Sequence, residues 1–158
     1  MCSVLAHAAS ASLVALTFAR VAPGETRYVV AALVAASIVD LDHLVYVIKD
    51  RALYRRVGYR GQLHQARSVF HELLGLLLAG VVSGLLFWLD PTLARVVFVA
   101  FAVHIAQDWI VGKSHPLAPA DWTVTQFFAL SFRGKVLVDV VIIAISGGLW
   151  VLYLAGAA

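Results

Sequence analysis

The chain reads as an all-α, polytopic membrane bundle of about five transmembrane helices, with an interfacial segment between helices four and five. Three observations predict this. The 158 residues are 62% hydrophobic and only 13% charged, with a mean hydropathy of +0.91, whereas soluble domains run near half apolar and a quarter charged. A water-soluble globule of this size has no interior large enough for that apolar surface, and disordered chains are polar. Finally, the apolar residues fall into five blocks near the ~20 residues that cross a hydrocarbon core as helix. Helix is required there because lipid cannot satisfy exposed backbone groups. Residues 1–158 form a single domain on this reading.

The first span runs from about Ser3 to Arg20. It lacks a basic leader and carries His7 early, so it reads as a mature helix rather than a signal peptide. Pro23-Gly24 turns the chain into the second span, about Tyr28 to Ile48. A long basic connection from Lys49 to Arg67 follows. The third span runs from about Ser68 to Leu89. Asp90-Pro91 stops it and opens the fourth, about Thr92 to Val111, with proline in the first helical turn. The connection from Gly112 to Lys135 holds two prolines, then Trp122, Phe127, Phe128 and Phe132, as an interfacial or re-entrant piece does. The fifth span is about Val136 to Gly156. Gly75, Gly80 and Gly84, and Gly147-Gly148, read as close helix packing. Trp88, Trp109, Trp122 and Trp150 read as interface anchors.

Orientation follows from the basic residues. Lys49, Arg51, Arg55, Arg56, Arg60, Arg67, Lys113, Arg133 and Lys135 lie on one side of the five spans, against Arg20, Arg27 and Arg95 on the other. The positive-inside rule makes the first side cytoplasmic and puts the N-terminus inside, in a cytoplasmic (inner) membrane. Although the pI is about 9.3, the basic residues sit at membrane ends, which points to anionic headgroups and away from nucleic acid. The single cysteine, Cys2, leaves no internal disulfide and no paired-cysteine metal site.

Ionisable side chains inside spans are costly, roughly 2.5–3.5 kcal/mol each on insertion scales. This chain places His7 in span one; Asp40, Asp42 and His43 in span two; His71 and Glu72 in span three; His104 and Asp108 in span four; and Asp139 in span five. Alternating helix directions bring all of them into one layer, roughly 5–13 Å below the cytoplasmic surface at ~1.5 Å rise per residue. His104 and Asp108 share a helix face, as do Asp40 and His43. Asp40 and Asp42 point about 200° apart on an ideal helix, so both serve one site only if span two is distorted there. His71 and Glu72 are adjacent, so one is expected as a ligand and the other as its neighbour, Glu72 being the candidate general base if it is not a ligand. Imidazoles and carboxylates from several helices at one depth are the ligand set of Zn²⁺, Mn²⁺ or Fe²⁺, and their surplus allows one or two ions. A cation also offsets the repulsion among buried carboxylates.

The runs Val39-Asp40-Leu41-Asp42-His43, Arg67-Ser68-Val69-Phe70-His71-Glu72 and His104-Ile105-Ala106-Gln107-Asp108, followed by Gly112-Lys113-Ser114-His115-Pro116 and preceded by His7, resemble the YdjM-like family of LexA-binding, inner-membrane-associated proteins. The resemblance spans His7 to about Pro119. It implies a membrane-bound, metal-dependent hydrolase with His7, Asp40, Asp42, His71, His104 and Asp108 at the metal positions and Arg67 at the family's arginine. The chain departs from the family pattern at Val39, Ala66, Phe70 and Glu72, where the family has Pro, His, Thr and Ser. His64 is the candidate replacement for the missing histidine.

The expected function is hydrolysis of a phosphoester or related ester in an amphipathic, lipid-like substrate. A divalent metal, Zn²⁺ first, activates water; Glu72 or His43 moves protons; Arg67, Lys113 and His115 hold an anionic group. The competing expectations are a proton or divalent-cation transporter and a non-enzymatic metal- or lipid-binding membrane protein. The absence of polar steps in the outer halves of the spans, and of an inverted repeat, weighs against transport.

Overall fold

The structure, a computed structural model, describes residues 4–41 and 69–156. Their regular elements are helices: α1 is Val4–Phe18, α2 Thr26–Ser37, α3 Leu73–Phe87, α4 Pro91–Val111 and α5 Phe132–Leu154. Short 3-10 turns, Ile38–Asp40 and Val69–His71, follow α2 and precede α3. Among the described residues, α4 and α5 (from Arg133) are long and apolar enough to cross a membrane, while α1 and α3 are shorter apolar helices of 15 residues. The expected metal ligand Asp42, catalytic His43 and substrate-holding Arg67 lie outside the described residues, with His64 and the basic connection.

α4 is the hub. It packs on α1, α2 and α3, and α1 packs in turn on α2 and α5. The end away from His7, His104 and Asp108 is packed by Leu13, Leu16, Val21, Tyr28 and Val96 with Tyr153. The middle is an alanine seam, Ala11, Ala15, Ala35, Ala36 and Ala100. Side chains this small let α1, α2 and α4 approach closely, as small residues do between membrane helices. At the other end Ala6 and Val111 pack with Val138 and Ile142 of α5. The outer surface is apolar: Leu137, Val140, Ile145 and Leu149 of α5 and Leu77, Val81 and Leu85 of α3 face outward. Patches of this size are stable against hydrocarbon and not against water.

The turn into α4 forms as Asp90-Pro91 predicts. Asp90 caps the helix, its Oδ1 accepting from the backbone N–H of Thr92 and of Leu93, both at 3.0 Å, and Pro91 needs no partner for a missing N–H. Its Oδ2 accepts from the Tyr28 hydroxyl at 2.9 Å and lies 3.4 Å from Arg27. The Leu93 N–H foremost, then the Tyr28 hydroxyl and Arg27, holds the Asp90 carboxyl below the usual range. A depressed folded value means that this stabilisation is complete above the unfolded carboxyl pKa and is lost as pH falls through the folded one. Asp90→Ala is expected to lower the Tm by a few degrees at neutral pH, and by less at a pH where the wild-type carboxyl is protonated; thermal melts at both pH values check it.

Three expectations are corrected. The second span does not continue as one α-helix: α2 ends at Ser37 and tightens into a 3-10 turn that ends on Asp40. Ser37, Ile38, Val39 and Asp40 are all weak helix formers. Trp150 and Trp109 are not simple interface anchors, since the Trp150 indole N–H donates to Ala9 O at 2.8 Å, tying α5 to α1, and that of Trp109 donates to Glu72. The glycine stripes hold only in part: a Cβ on Gly80 would meet the Phe98 ring of α4 at 3.8 Å, whereas one on Gly84, Gly147 or Gly148 would meet open space. Gly75 differs, because a Cβ there would collide with the Phe70 carbonyl oxygen. The 3-10 turn before α3 folds back across that position.

Candidate metal centre

His7 lies in the first turn of α1, Asp40 at the end of the turn after α2, His71 at the end of the turn before α3, and His104 and Asp108 in the last two turns of α4. Because the helices alternate in direction, all five reach the same end of the bundle, and all are buried. His7 Nε2 is 3.3 Å from Asp108 Oδ1. His71 Nε2 is 3.5 Å from Asp40 Oδ1 and 3.9 Å from Asp108 Oδ2. His104 Nε2 stands between the same two oxygens, at 3.7 and 3.8 Å. The rings of His7 and His104 stack with centroids 4.1 Å apart.

The tautomers follow from the partners. His104 Nδ1 is 2.6 Å from Ala36 O, a carbonyl that can only accept, so Nδ1 carries the proton. The alanine seam makes that approach possible. The Ser10 hydroxyl donates to Ala6 O, so its Oγ accepts from Gln107 Nε2 at 2.8 Å. That orients the Gln107 amide with Oε1 toward His7 Nδ1, at 2.8 Å, and Nδ1 is again the donor. In neutral His7 and His104, Nε2 therefore presents a bare lone pair. Both Nε2 atoms are buried and make no hydrogen bond among the described residues. Lone pairs aimed at carboxylate oxygens across 3.3–3.8 Å repel unless a cation lies between them.

Two triads, His7–His104–Asp108 and Asp40–His71–His104, each have one ligand atom per residue within 4.8 Å of the others. Donors of a tetrahedral Zn²⁺ site at ~2.0–2.1 Å stand ~3.3–3.4 Å apart, close to the spacings here. These groups can hold a metal ion. Both triads use His104, whose Nδ1 is committed to Ala36, so both need the same Nε2 and describe one centre rather than two.

Other expected residues stand apart from the triads. Glu72 is buried, but its Oε1 accepts from the His115 backbone N–H at 2.8 Å and its Oε2 from the Trp109 indole at 3.0 Å. It ties the start of α3 to α4 and to the connection after it, reinforced by Leu73 N–H donating to Pro116 O at 3.2 Å. His115 Nδ1 hydrogen-bonds to Trp122 O at 2.8 Å within that connection, and Lys113 is exposed. The connection is not helical; Ser114 and Thr125 bridge its two arms.

Gln107, Ser10 and Trp109 are the residues that sequence reasoning missed. Ser10 follows His7 by three, and so shares its face, while Gln107 precedes Asp108; that spacing was the available signal. Partners that fix a ligand's tautomer typically carry ten- to hundredfold in metal affinity. Gln107→Leu is expected to weaken Zn²⁺ binding by about that factor without unfolding the protein; competition against a chromophoric chelator checks it.

A family model described as YdjM inner membrane protein matches residues 1–157. No curated protein and no solved structure matches the chain significantly.

Proposed function

The chain belongs to the YdjM inner membrane protein family, and from that premise we propose that it is a membrane-embedded, metal-dependent hydrolase of a phosphoester or related ester in a lipid-like substrate. In this reading the chain crosses the inner membrane five times with its N-terminus cytoplasmic, and the centre lies in the cytoplasmic half. The observation that carries the proposal is the His104 ring, buried, fixed by Ala36 O and turned with a bare Nε2 toward two carboxylates.

His7, Asp40, His71, His104 and Asp108 would hold a divalent cation, Zn²⁺ being the best match to a set of imidazoles and carboxylates without thiolate. Such an ion supplies Lewis acidity toward an ester oxygen and acidifies water toward neutrality. The residues do the rest. Asp108 faces His7 through Oδ1 and the other two imidazoles through Oδ2, so its carboxylate would orient all three rings around the ion. Glu72, anchored by Trp109 and His115, keeps the α4–α5 connection against the start of α3 and limits water there. Arg67, Lys113 and His115 are the residues proposed to meet an anionic headgroup.

The test uses the full chain in vesicles of phosphatidylethanolamine and phosphatidylglycerol, with Zn²⁺ or with chelator. Metal-dependent release of phosphate, phosphorylated headgroup or fatty acid, lost in His104→Ala, is expected. Metal flux across the vesicle wall without any release would identify a transporter and defeat the proposal.

A further inference from the structure

α2 and α3 each pack on α4 but hardly on each other. The gap between them is a crevice of about 520 Å³, and the described residues that line it are all apolar. Ala31 of α2, Ala79 of α3 and Phe101 of α4 are among the residues that line it. It runs from Ala31 of α2 to Val39 in the turn that follows, about 13 Å at ~1.5 Å per α-helical and ~2.0 Å per 3-10 residue. At one end it meets Val39 and Phe70, the chain neighbours of Asp40 and His71, whose side chains are 3.5 Å apart. Val34, Leu78 and Val82 on its lips are about half exposed, so the crevice opens outward through the apolar surface of the bundle.

We propose that this crevice binds one acyl chain of a membrane lipid, with the ester end of that lipid at the metal centre. The commitment to an acyl chain follows from position and lining. In a bilayer the medium at an apolar lateral opening is hydrocarbon, and a slot whose described side chains are all apolar offers little to a headgroup or to water. Its end at Asp40 and His71 gives a chain lying in it a direction, with its polar terminus toward the buried imidazoles. Small side chains at Ala31 and Ala79 leave the width that larger ones would fill. The link to chemistry rests on the function proposed above; the binding of the chain does not.

The experiment reconstitutes the full chain in vesicles of phosphatidylethanolamine and phosphatidylglycerol that contain a phosphatidylglycerol with a diazirine midway along one acyl chain. After irradiation, adducts are mapped by mass spectrometry, and Zn²⁺ binding is measured on the same preparation. Adducts at Leu78 and Val82 are expected several-fold above those at Leu137 and Val141, which face outward on α5. Ala79→Trp, or Ala31→Trp from the opposite wall, is expected to abolish that preference and leave Zn²⁺ binding unchanged. Equal labelling at both places would overturn the inference, as would weaker labelling at Leu78 and Val82 than on α5, the result expected if a second protein copy covers the crevice. Absence of Zn²⁺ binding in the wild type would strike the proposed hydrolase instead, and is read independently of the adducts.

Discussion

Asp108→Ala is expected to leave a folded protein that no longer retains a stoichiometric divalent ion. Asp108 lies beside three imidazoles, with Oδ1 3.3 Å from His7 and Oδ2 3.9 and 3.8 Å from His71 and His104. Its removal deprives a bound cation of a ligand and of a buried negative charge. One unit-charge interaction at ~4 Å in an effective dielectric of about 20 is ~4 kcal/mol, or roughly three orders of magnitude in affinity. Alanine also opens a small cavity, so Asp108→Asn is the necessary companion. It keeps the shape and the hydrogen-bonding capacity but not the charge, and is expected to lose most of the affinity as well. Equilibrium dialysis against Zn²⁺ with elemental analysis, beside a thermal melt, separates lost metal from lost fold. Wild-type affinity in Asp108→Asn would show that the carboxylate is not a ligand.

Gly75→Ala is expected to destabilise the protein and to weaken the metal centre together. The new methyl would collide with the Phe70 carbonyl oxygen and stand 2.6 and 2.9 Å from its carbonyl carbon and Cα. All three are backbone atoms, so no side-chain rotation relieves the collision. The turn Val69–His71 must lift from α3, and it carries His71, which is fully buried 3.5 Å from Asp40. Overpacking of this kind costs ~1–3 kcal/mol, and displacement of a ligand by a fraction of an ångström adds a loss of affinity. Gly84→Ala is the control. Nothing lies within 4 Å of its added methyl, and alanine favours helix over glycine by up to ~1 kcal/mol, so its Tm is expected to hold or rise. A Gly75→Ala protein with wild-type Tm and wild-type Zn²⁺ affinity would contradict the placement of this turn.

The parts of the molecule that depend on local pattern were readable in advance. Asp90-Pro91 announces a capped helix start, and the four-residue spacing of His104 and Asp108 puts both on one face of α4. The gathering of His7, Asp40, His71, His104 and Asp108 at one end needs only alternating helix directions and the depth of each residue. The details that depend on neighbours from other helices were not readable. That α2 yields to a 3-10 turn before Asp40 is decided by packing as much as by propensity. The bonding of Glu72 to Trp109 and to the His115 N–H, and the pairing of Gln107 with both His7 and Ser10, join residues far apart in the chain. No periodicity encodes such pairs. The crevice between α2 and α3 is of the same kind, since it exists because both helices lean on α4.

The central claim is that side chains from four separate segments converge as ligands of one ion. X-ray absorption spectroscopy at the zinc edge, on the full chain loaded with one equivalent of Zn²⁺ in lipid or detergent, examines it directly. The expected spectrum is a shell of nitrogen and oxygen only, with the outer scattering of more than one imidazole, and with that imidazole signal reduced in His104→Ala. A shell of oxygen alone, or a sulfur contribution from Cys2, would mean that the ion sits elsewhere and that the buried cluster is not its site.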